Sequence, residues 1–174
     1  MYASQRGLTL IDVMITAALM SIIVLLSIPW LQETIRNSRM IDINNELAQA
    51  LKFSRNLAME RNLRVTVCKS ANGVSCSDDG GWEQGWIAFT DTNHNARYET
   101  AAESRLLVRN KVEGKLTMLG DPAVQNFVSY VGRGNAESTS GMPQSGAIKT
   151  CAHNRAGTGR RLWVAPSGRV DLVT

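Results

Sequence analysis

Oxygen-bearing side chains alternate at Asp91, Asn93 and Asn95, with one residue between each pair. This spacing opens a calcium-binding loop, in which alternate side chains turn their oxygens towards the ion. The rest of such a loop is missing, because Ala96 stands in place of its glycine and Ala102 in place of its final glutamate. We therefore expect a polar turn between two strands, with calcium as the alternative, and no metal or other cofactor.

Three cysteines, Cys68, Cys76 and Cys151, offer disulfide or metal chemistry. A disulfide between Cys68 and Cys76 would close a short glycine-containing loop and leave Cys151 as a buried thiol. Pairing of Cys151 with either of the others stays open. Zinc is disfavoured, because the spacing is not Cys-x-x-Cys and the two histidines, His94 and His153, are isolated.

Arginines gather towards the C-terminus, where Arg155, Arg160, Arg161 and Arg169 are candidates for contact with phosphate groups. The formal net charge of the whole chain is only +4. A nucleic-acid-binding domain more often has a concentrated basic face. We therefore expect these side chains to form a solvated surface, with DNA as the alternative.

Nothing in the sequence is typical of an enzyme. It has no catalytic order of serine, histidine and aspartate and no paired-carboxylate motif of a catalytic site. The glycines around Gly157 lack the spacing and the lysine of a phosphate-binding loop. The chain is therefore expected to act by association rather than by catalysis.

The elements that position these residues begin with an apolar run at residues 8–31, which a single charge, Asp12, interrupts. As a helix this run would be about 36 Å long, enough to cross a bilayer core of about 30 Å. A carboxylate at that depth costs about 2.5–3.5 kcal/mol, so Asp12 needs a partner or a purpose. Arg6, ahead of the run, places the N-terminus in the cytoplasm and the rest of the chain across the inner membrane.

The helix is expected to continue beyond the membrane. Pro29 should kink it without ending it, because proline removes the backbone hydrogen bond to Leu25. Residues 32–62 contain neither glycine nor proline and repeat apolar side chains every three or four positions. One helix of roughly 55 residues, about 80 Å long, follows from this pattern. Its second half should bury a stripe formed by Ile43, Leu47, Ala50, Leu51, Ser54, Leu57 and Ala58.

Beyond residue 62 the pattern alternates as in half-buried strands, with turn residues between short runs. Such strands favour antiparallel pairing, with the helix covering one face of the sheet, and the predicted fold class is α+β. Trp86 or Ile87, together with Phe89, should reach the core, and the glycine- and serine-rich residues 132–146 should form a mobile loop. Strands are predicted within 63–68, 82–90, 104–110, 115–119, 127–131, 147–151, 161–165 and 169–173.

The start of the apolar run resembles the cleavage motif of type IV prepilins, a glycine followed by Phe-Thr-Leu-Ile-Glu. Here Gly7 precedes Leu-Thr-Leu-Ile-Asp at 8–12, so leucine replaces phenylalanine and aspartate replaces glutamate. The resemblance implies that prepilin peptidase cuts after Gly7 and methylates the new amine of Leu8. It also implies that Asp12 pairs with the amine of a neighbouring subunit during assembly, and that Pro29 matches a proline found in many pilins.

Motifs in the rest of the chain resemble the GspH/FimT group of minor pilins and pseudopilins. They are Val-Thr-Val-Cys at 65–68, Trp-x-x-Gly-Trp-Ile-x-Phe-x-Asp-x-Asn at 82–93, Glu-x-x-Leu-Leu-Val-Arg at 103–109 and Gly-Arg-Arg-Leu-Trp-Val-x-x-Ser-Gly-Arg-Val at 159–170. The resemblance implies a pilin-like fold and fits fimbrial members of the FimU and FimT type best. Such a protein is a low-abundance subunit that primes pilus assembly near the tip and supports twitching motility. A pseudopilin of a type II secretion system is the alternative.

FimT-type members that take up DNA for natural transformation bind it through a C-terminal Gly-Arg-x-Arg motif. Gly168 and Arg169 match this motif, but Asp171 occupies the place of its second arginine, and an anion there repels phosphate. DNA binding is therefore an alternative that the sequence does not favour.

The resemblance also sets the expected organisation. Residues 1–7 would be a leader, 8–31 a transmembrane and filament-core helix, 32–62 the amphipathic half of that helix and 63–174 a periplasmic β-rich head. The expected partners are prepilin peptidase, other minor and major pilins and the inner membrane. The protein would first span the inner membrane once, with its N-terminus in the cytoplasm, and would then join the pilus fibre on the cell surface.

Overall fold

The computed structural model describes residues 9–99, 101–111, 116–152 and 159–173, and within helices and strands the side chains at 25–33, 36 and 152 are not described. The chain divides into two compact units, Met1–Ser38 and Arg39–Thr174.

The first unit contains the beginning of helix α1, which comprises Leu10–Arg61. The helix continues past Pro29, as the sequence predicted. The large apolar side chains from Leu10 to Val24 are all exposed, by 53% to 79%. Among the residues that the structure describes, no helix is both long and apolar enough to cross a membrane. The predicted span at 8–31 includes Leu8 and the side chains at 25–31, which lie outside the described part of the chain.

In the second unit, the last turns of α1 bury one face. All members of the stripe predicted between Ile43 and Ala58 are buried, so this prediction is confirmed. Full burial of a leucine or isoleucine side chain stabilises a fold by about 1.5–3 kcal/mol. The opposite face is exposed at Asp42, Lys52 and Glu60, as a solvated face requires.

Two asparagines set the position and the end of this helix. The buried amide of Asn44 accepts a hydrogen bond from Thr150 Oγ1 at 3.1 Å, which ties the helix to a strand of the second unit. Asn62 follows the last helical residue in a left-handed conformation, with φ of 49°. The N–H of Leu63 then donates to the carbonyl of Ala58 at 3.2 Å. Asparagine tolerates this conformation better than most residues, so it can end the helix without a glycine.

Eight strands follow within the described residues. They are β1 (Val65–Lys69), β2 (Trp86–Thr90), β3 (Arg105–Arg109), β4 (Leu116–Gly120), β5 (Phe127–Tyr130), β6 (Gly146–Ala152), β7 (Arg160–Val164) and β8 (Val170–Val173). All of them pair antiparallel, in one four-stranded sheet of order β3-β2-β1-β5 and another of order β4-β6-β7-β8. Each strand overlaps a predicted one, and the predicted α+β class with antiparallel pairing is confirmed; the strands are divided between two sheets, which was not predicted.

The two faces of strand β2 pack into separate apolar clusters. Trp86 and Ala88 belong to the main core, which also contains the stripe of helix α1. Ile87 and Phe89 pack with Cys68 in a second, smaller cluster. Successive residues of a strand point to opposite faces, so a sheet covered on both sides buries both sets. We expected either Trp86 or Ile87 in the core, and both are buried.

The loop at 132–146, which was expected to be mobile, is bonded to the rest of the head. The buried side chain of Gln144 donates a hydrogen bond to the carbonyl of Phe127 at 2.9 Å. From the start of the head, Arg64 reaches across to donate to the carbonyl of Glu137 at 2.6 Å. Glycine and serine content gave no sign of these two contacts, one from a side chain of the loop and one to its backbone.

Candidate functional site

The first turn of helix α1 contains a capping box formed by Thr9 and Asp12. Asp12 Oδ2 accepts hydrogen bonds from the N–H of Thr9 at 3.0 Å and from its Oγ1 at 2.7 Å. The N–H of Asp12 donates in turn to Thr9 Oγ1 at 3.4 Å. Such reciprocal bonds satisfy backbone donors that the start of a helix leaves free. Asp12 therefore has a local structural role, and its side chain is exposed.

The structure describes no side-chain contacts for the three other residues of the predicted assembly site. Gly7 and Leu8, the predicted cleavage and methylation positions, lie outside the described residues. Pro29 lies within α1, but its side chain is not described. Asp12 is thus the one member of the set whose contacts the described part of the chain reveals.

A disulfide joins Cys68 in β1 to Cys76 in the following loop. Cys151 in β6 is a free, half-buried thiol. The structure thus selects one of the pairings that the sequence left open.

Lys69 lies within the disulfide-closed ring and was not singled out from the sequence. Its buried ammonium donates to the carbonyls of Asp78 at 3.1 Å and Gly80 at 2.8 Å. Burial lowers the pKa of Lys69, and the charges of nearby acidic groups offset part of this lowering.

Asp91 is buried and organises a turn with its own side chain. Its carboxylate accepts hydrogen bonds from the N–H groups of Asn95 and Ala96, each at 3.1 Å, and from Thr66 Oγ1 at 2.8 Å. Within the described ranges, no group of three or more acidic, histidine or cysteine side chains is placed to hold a metal ion. The side-chain oxygens of Asp91, Asn93 and Asn95 accept hydrogen bonds from backbone N–H groups of the same turn.

A buried ion pair next to this turn was not visible in the sequence. Arg64 Nε lies 3.8 Å from Asp91 Oδ2, and both side chains are almost fully buried. Desolvation lowers the pKa of Arg64, while the charge of Asp91 raises it. These two residues are 27 positions apart, and only the pairing of β1 and β2 brings them together.

The arginines considered for the DNA alternative do not all lie together. Arg160 and Arg161 begin β7, whereas the carbonyl of Arg169 accepts a hydrogen bond from the N–H of Ala165, beyond the far end of that strand. Arg161 and Ala165 are four residue steps apart along the strand direction, which is about 13 Å. Arg155 lies outside the residues that the structure describes.

Acidic groups also accompany these arginines. Arg169 Nε donates to Asp171 Oδ2 at 2.8 Å. Near Arg161, the carboxylate of Asp121 accepts hydrogen bonds from the N–H of Ala147 at 2.9 Å and from Lys149 Nζ at 3.2 Å. These bonds lower the pKa of Asp121, with a further contribution from Arg161. Both arginines thus have an acid nearby, as on an ordinary solvated surface.

Gly168, the glycine of the Gly-Arg match, has a packing role. It adopts a positive φ of 78°. A Cβ at this position would overlap the carbonyl oxygen of Gly134 and lie 2.8 Å from Arg55 Nε. The same Arg55 Nε donates to that carbonyl at 2.9 Å. Backbone packing therefore requires glycine here, and phosphate binding is not needed to explain the residue.

Comparison with known proteins agrees with this geometry. Residues 44–168 match the family model described as type II transport protein GspH. The fold is similar to crystal structures of the type IV minor pilin FimU from Pseudomonas aeruginosa PAO1. In the P21 crystal form the TM-score is 0.61 at 16% identity, with 80% of this chain and 91% of FimU covered. In the P65 form it is 0.57 at 17% identity, with 75% and 90% covered.

A comparison with curated protein sequences gives no match. The family model nevertheless covers most of the chain, and the helix and sheets follow the pilin fold of FimU. Pilins and pseudopilins are structural proteins. The chain therefore belongs to the GspH family and is a pilin-like structural protein of the GspH/FimT kind, not an enzyme.

Proposed function

We propose that this chain is a minor type IV pilin. In this proposal it is made as a prepilin, spans the inner membrane once and is cleaved after Gly7 by prepilin peptidase, which also methylates Leu8. It then joins a pilus, near the tip, where it helps to initiate assembly and supports twitching motility. Its partners are other pilins, which it binds through helix α1 and through its head.

The observation that carries this proposal is the exposed apolar surface at the start of α1. Ten large apolar side chains lie between Leu10 and Val24, and each is at least 53% exposed in the isolated chain. Leaving such a side chain in water rather than burying it costs about 1.5–3 kcal/mol. A surface of this kind is stable in lipid or against other apolar helices, the two environments that a pilin occupies in turn.

Asp12 fits the same proposal. In the capping box, the carboxylate of Asp12 accepts hydrogen bonds from Thr9. Thr9 carries no charge, so these bonds do not neutralise the carboxylate. An unpaired charge in an apolar environment is strongly unfavourable. The N-terminal amine of a neighbouring subunit would supply the opposite charge, and this requirement would help to set the stagger between subunits.

Two alternatives differ in how the observations bear on them. A minor pseudopilin of a type II secretion system is supported by the family model, which is described as a type II transport protein. DNA binding is disfavoured, because Arg169 donates to Asp171 within the chain.

Deletion of the gene separates the pilus role from the secretion role. We expect loss of surface pili and of twitching, with secretion unchanged, and both should return when the intact gene is restored. Loss of secretion with normal pili would instead assign the chain to a secretion pseudopilus.

A further inference from the structure

A short segment, residues 76–84, links the end of strand β1 in one sheet to strand β4 in the other, and we call it the strap. At its start, Cys76 forms the disulfide with Cys68 in β1. Near its end, Glu83 Oε2 accepts a hydrogen bond from the N–H of Met118 in β4 at 2.7 Å. The strap is therefore attached to both sheets, and its attachment to β1 includes a covalent bond.

The strap contacts β1 on both faces of the sheet. Successive residues of a strand point to opposite faces. Cys68 packs in the smaller apolar cluster, whereas Val67 belongs to the main core, so Lys69 also points to the side of the main core. The strap bonds to Cys68 on one face and to Lys69 on the other, and it therefore closes around the end of the strand.

The ammonium group of Lys69 depends on the strap for its polar contacts. The residue is only 1% exposed, and its Nζ donates to the carbonyls of Asp78 at 3.1 Å and Gly80 at 2.8 Å. Both acceptors belong to the strap. A buried ammonium without acceptors is strongly unfavourable. If the strap moved away from β1, Lys69 would have to turn its ammonium to water.

Weaker contacts complete the attachment of residues 77–80. The N–H of Ser77 donates to the carbonyl of Lys69 at 2.9 Å, and Arg97 Nη2 lies 3.1 Å from Asp78 Oδ2 in an exposed ion pair. An exposed ion pair of this kind contributes about 0–1 kcal/mol. The disulfide is thus the attachment whose loss should matter most for the position of the strap on β1.

We propose that the disulfide and Lys69 form a redox-sensitive latch. With the disulfide closed, residues 77–80 stay on β1 and the ammonium of Lys69 is buried. Reduction by a thiol adds two electrons and two protons, breaks the S–S bond and leaves two free cysteines, while the thiol is oxidised to its own disulfide. Residues 77–80 then leave β1 and Lys69 becomes accessible to water.

The far end of the strap stays in place when the latch opens. Trp82 is fully buried, and its Nε1 donates to the carbonyl of Val124 at 3.1 Å. Opening is therefore confined to the part of the strap next to β1. Because disulfides persist in oxidising compartments and are reduced in the cytosol, the latch closes only once the head has reached an oxidising compartment. This inference does not depend on a role in a pilus.

Amine acetylation measures the latch on the full chain in detergent. A water-soluble acetylating ester modifies accessible lysines, and peptide mass spectrometry gives the rate at each position. Lys149 is the internal reference, since its side chain is 50% exposed and pairs with Asp121, away from the strap. After reduction, the rate at Lys69 relative to Lys149 should rise about tenfold or more, which corresponds to about 1.4 kcal/mol in the free energy of opening. The double variant Cys68→Ala, Cys76→Ala should show the same rise without a reductant.

Two variants that keep the disulfide are the matched controls. Cys151→Ala removes the free thiol, and Arg97→Ala removes the exposed ion pair of the strap. In both, the acetylation rate of Lys69 should stay within about twofold of the wild type, because an exposed ion pair contributes little. A rise in Arg97→Ala as large as that on reduction would show that the disulfide is not the latch.

Hydrogen exchange separates a local opening from a general loss of stability. At short exchange times, reduction should raise deuterium uptake in residues 77–80 and leave strand β7 unchanged. An equal rise in β7 would mean that the disulfide only stabilises the head as a whole. Unchanged acetylation of Lys69, after thiol alkylation has shown complete reduction, would mean that the strap stays closed without the disulfide. Either result overturns the latch and leaves the proposed function untouched.

Discussion

The carboxylate of Asp12 accepts two hydrogen bonds from Thr9: Oδ2 lies 2.7 Å from Thr9 Oγ1 and 3.0 Å from the backbone nitrogen of Thr9. These bonds cap the helix, but Thr9 carries no charge, so they leave the negative charge of Asp12 in place. The same side chain therefore has a capping role within the chain and, in our proposal, a charge-pairing role between subunits. Substitutions can separate the two roles, because capping needs an acceptor and pairing needs a charge.

We predict that Asp12→Asn keeps most of the cap but removes the chain from pili. The amide oxygen of asparagine can still accept a bond from Thr9, whereas the charge that would pair with a neighbouring amine is lost. The measurement is the amount of the chain in the membrane fraction and in sheared pili. Asp12→Glu, which keeps the charge, is the control and should retain incorporation. Normal incorporation of Asp12→Asn would show that the charge is not needed.

A second prediction concerns the packing of Gly168. Gly168→Ala should lower the free energy of unfolding of the head by about 3 kcal/mol or more, because a positive φ is strained for alanine and the added Cβ overlaps the carbonyl of Gly134. Gly141 is a matched control, since it has a similar φ of 79° with nothing within 4 Å of the added Cβ. Gly141→Ala should cost about 1 kcal/mol. Urea unfolding of the full chain in detergent compares them, and equal losses would refute the packing role.

The disulfide gives a third prediction. It links residues eight positions apart, and closing a loop of that length stabilises a fold by about 2–3 kcal/mol in the chain-entropy model. The double variant Cys68→Ala, Cys76→Ala should therefore unfold at a lower urea concentration. Cys151→Ala should change the free energy of unfolding by less than about 1 kcal/mol, because the thiol is unpaired and half-buried. A larger effect from Cys151→Ala than from the double variant would contradict this assignment.

The fourth prediction tests the DNA alternative. The wild-type chain should not retard duplex DNA in a gel at physiological salt, because Arg169 is paired with Asp171. Asp171→Arg frees Arg169 and adds a second arginine, so we expect salt-sensitive retardation to appear. Asp78→Arg is the matched control, since Asp78 pairs with Arg97 at 3.1 Å on another exposed surface. Steeply salt-dependent binding by the wild type, or an equal gain from the control, would reverse the order of the two hypotheses.

Much of the fold could be predicted because its signals are local. The helical period of residues 32–62 identified the buried stripe, and the alternation of short runs located every described strand. Division into two sheets was not predictable in this way. Sheet membership depends on contacts between distant segments, such as the pairing of β4 with β6, and a strand's own sequence does not reveal its partner.

For the candidate sites too, contacts between residues close in the chain could be predicted and contacts between distant residues could not. Spacing correctly suggested the pairing of Cys68 with Cys76, which are close in the chain. The pair formed by Arg64 and Asp91 was not predicted, because the two residues are 27 positions apart and nothing in the sequence indicates that they meet. Gly168 matched a DNA-binding motif by spacing, yet its contacts with Gly134 and Arg55 give it a structural reason to be glycine.

The mass of the mature N-terminus is the most direct test of the proposed function. Intact and peptide mass spectrometry of the chain from sheared pili should find a protein that begins at Leu8 and carries one methyl group on its amine. A chain that still begins at Met1, or that is missing from both the pili and any secretion apparatus, would contradict the proposal.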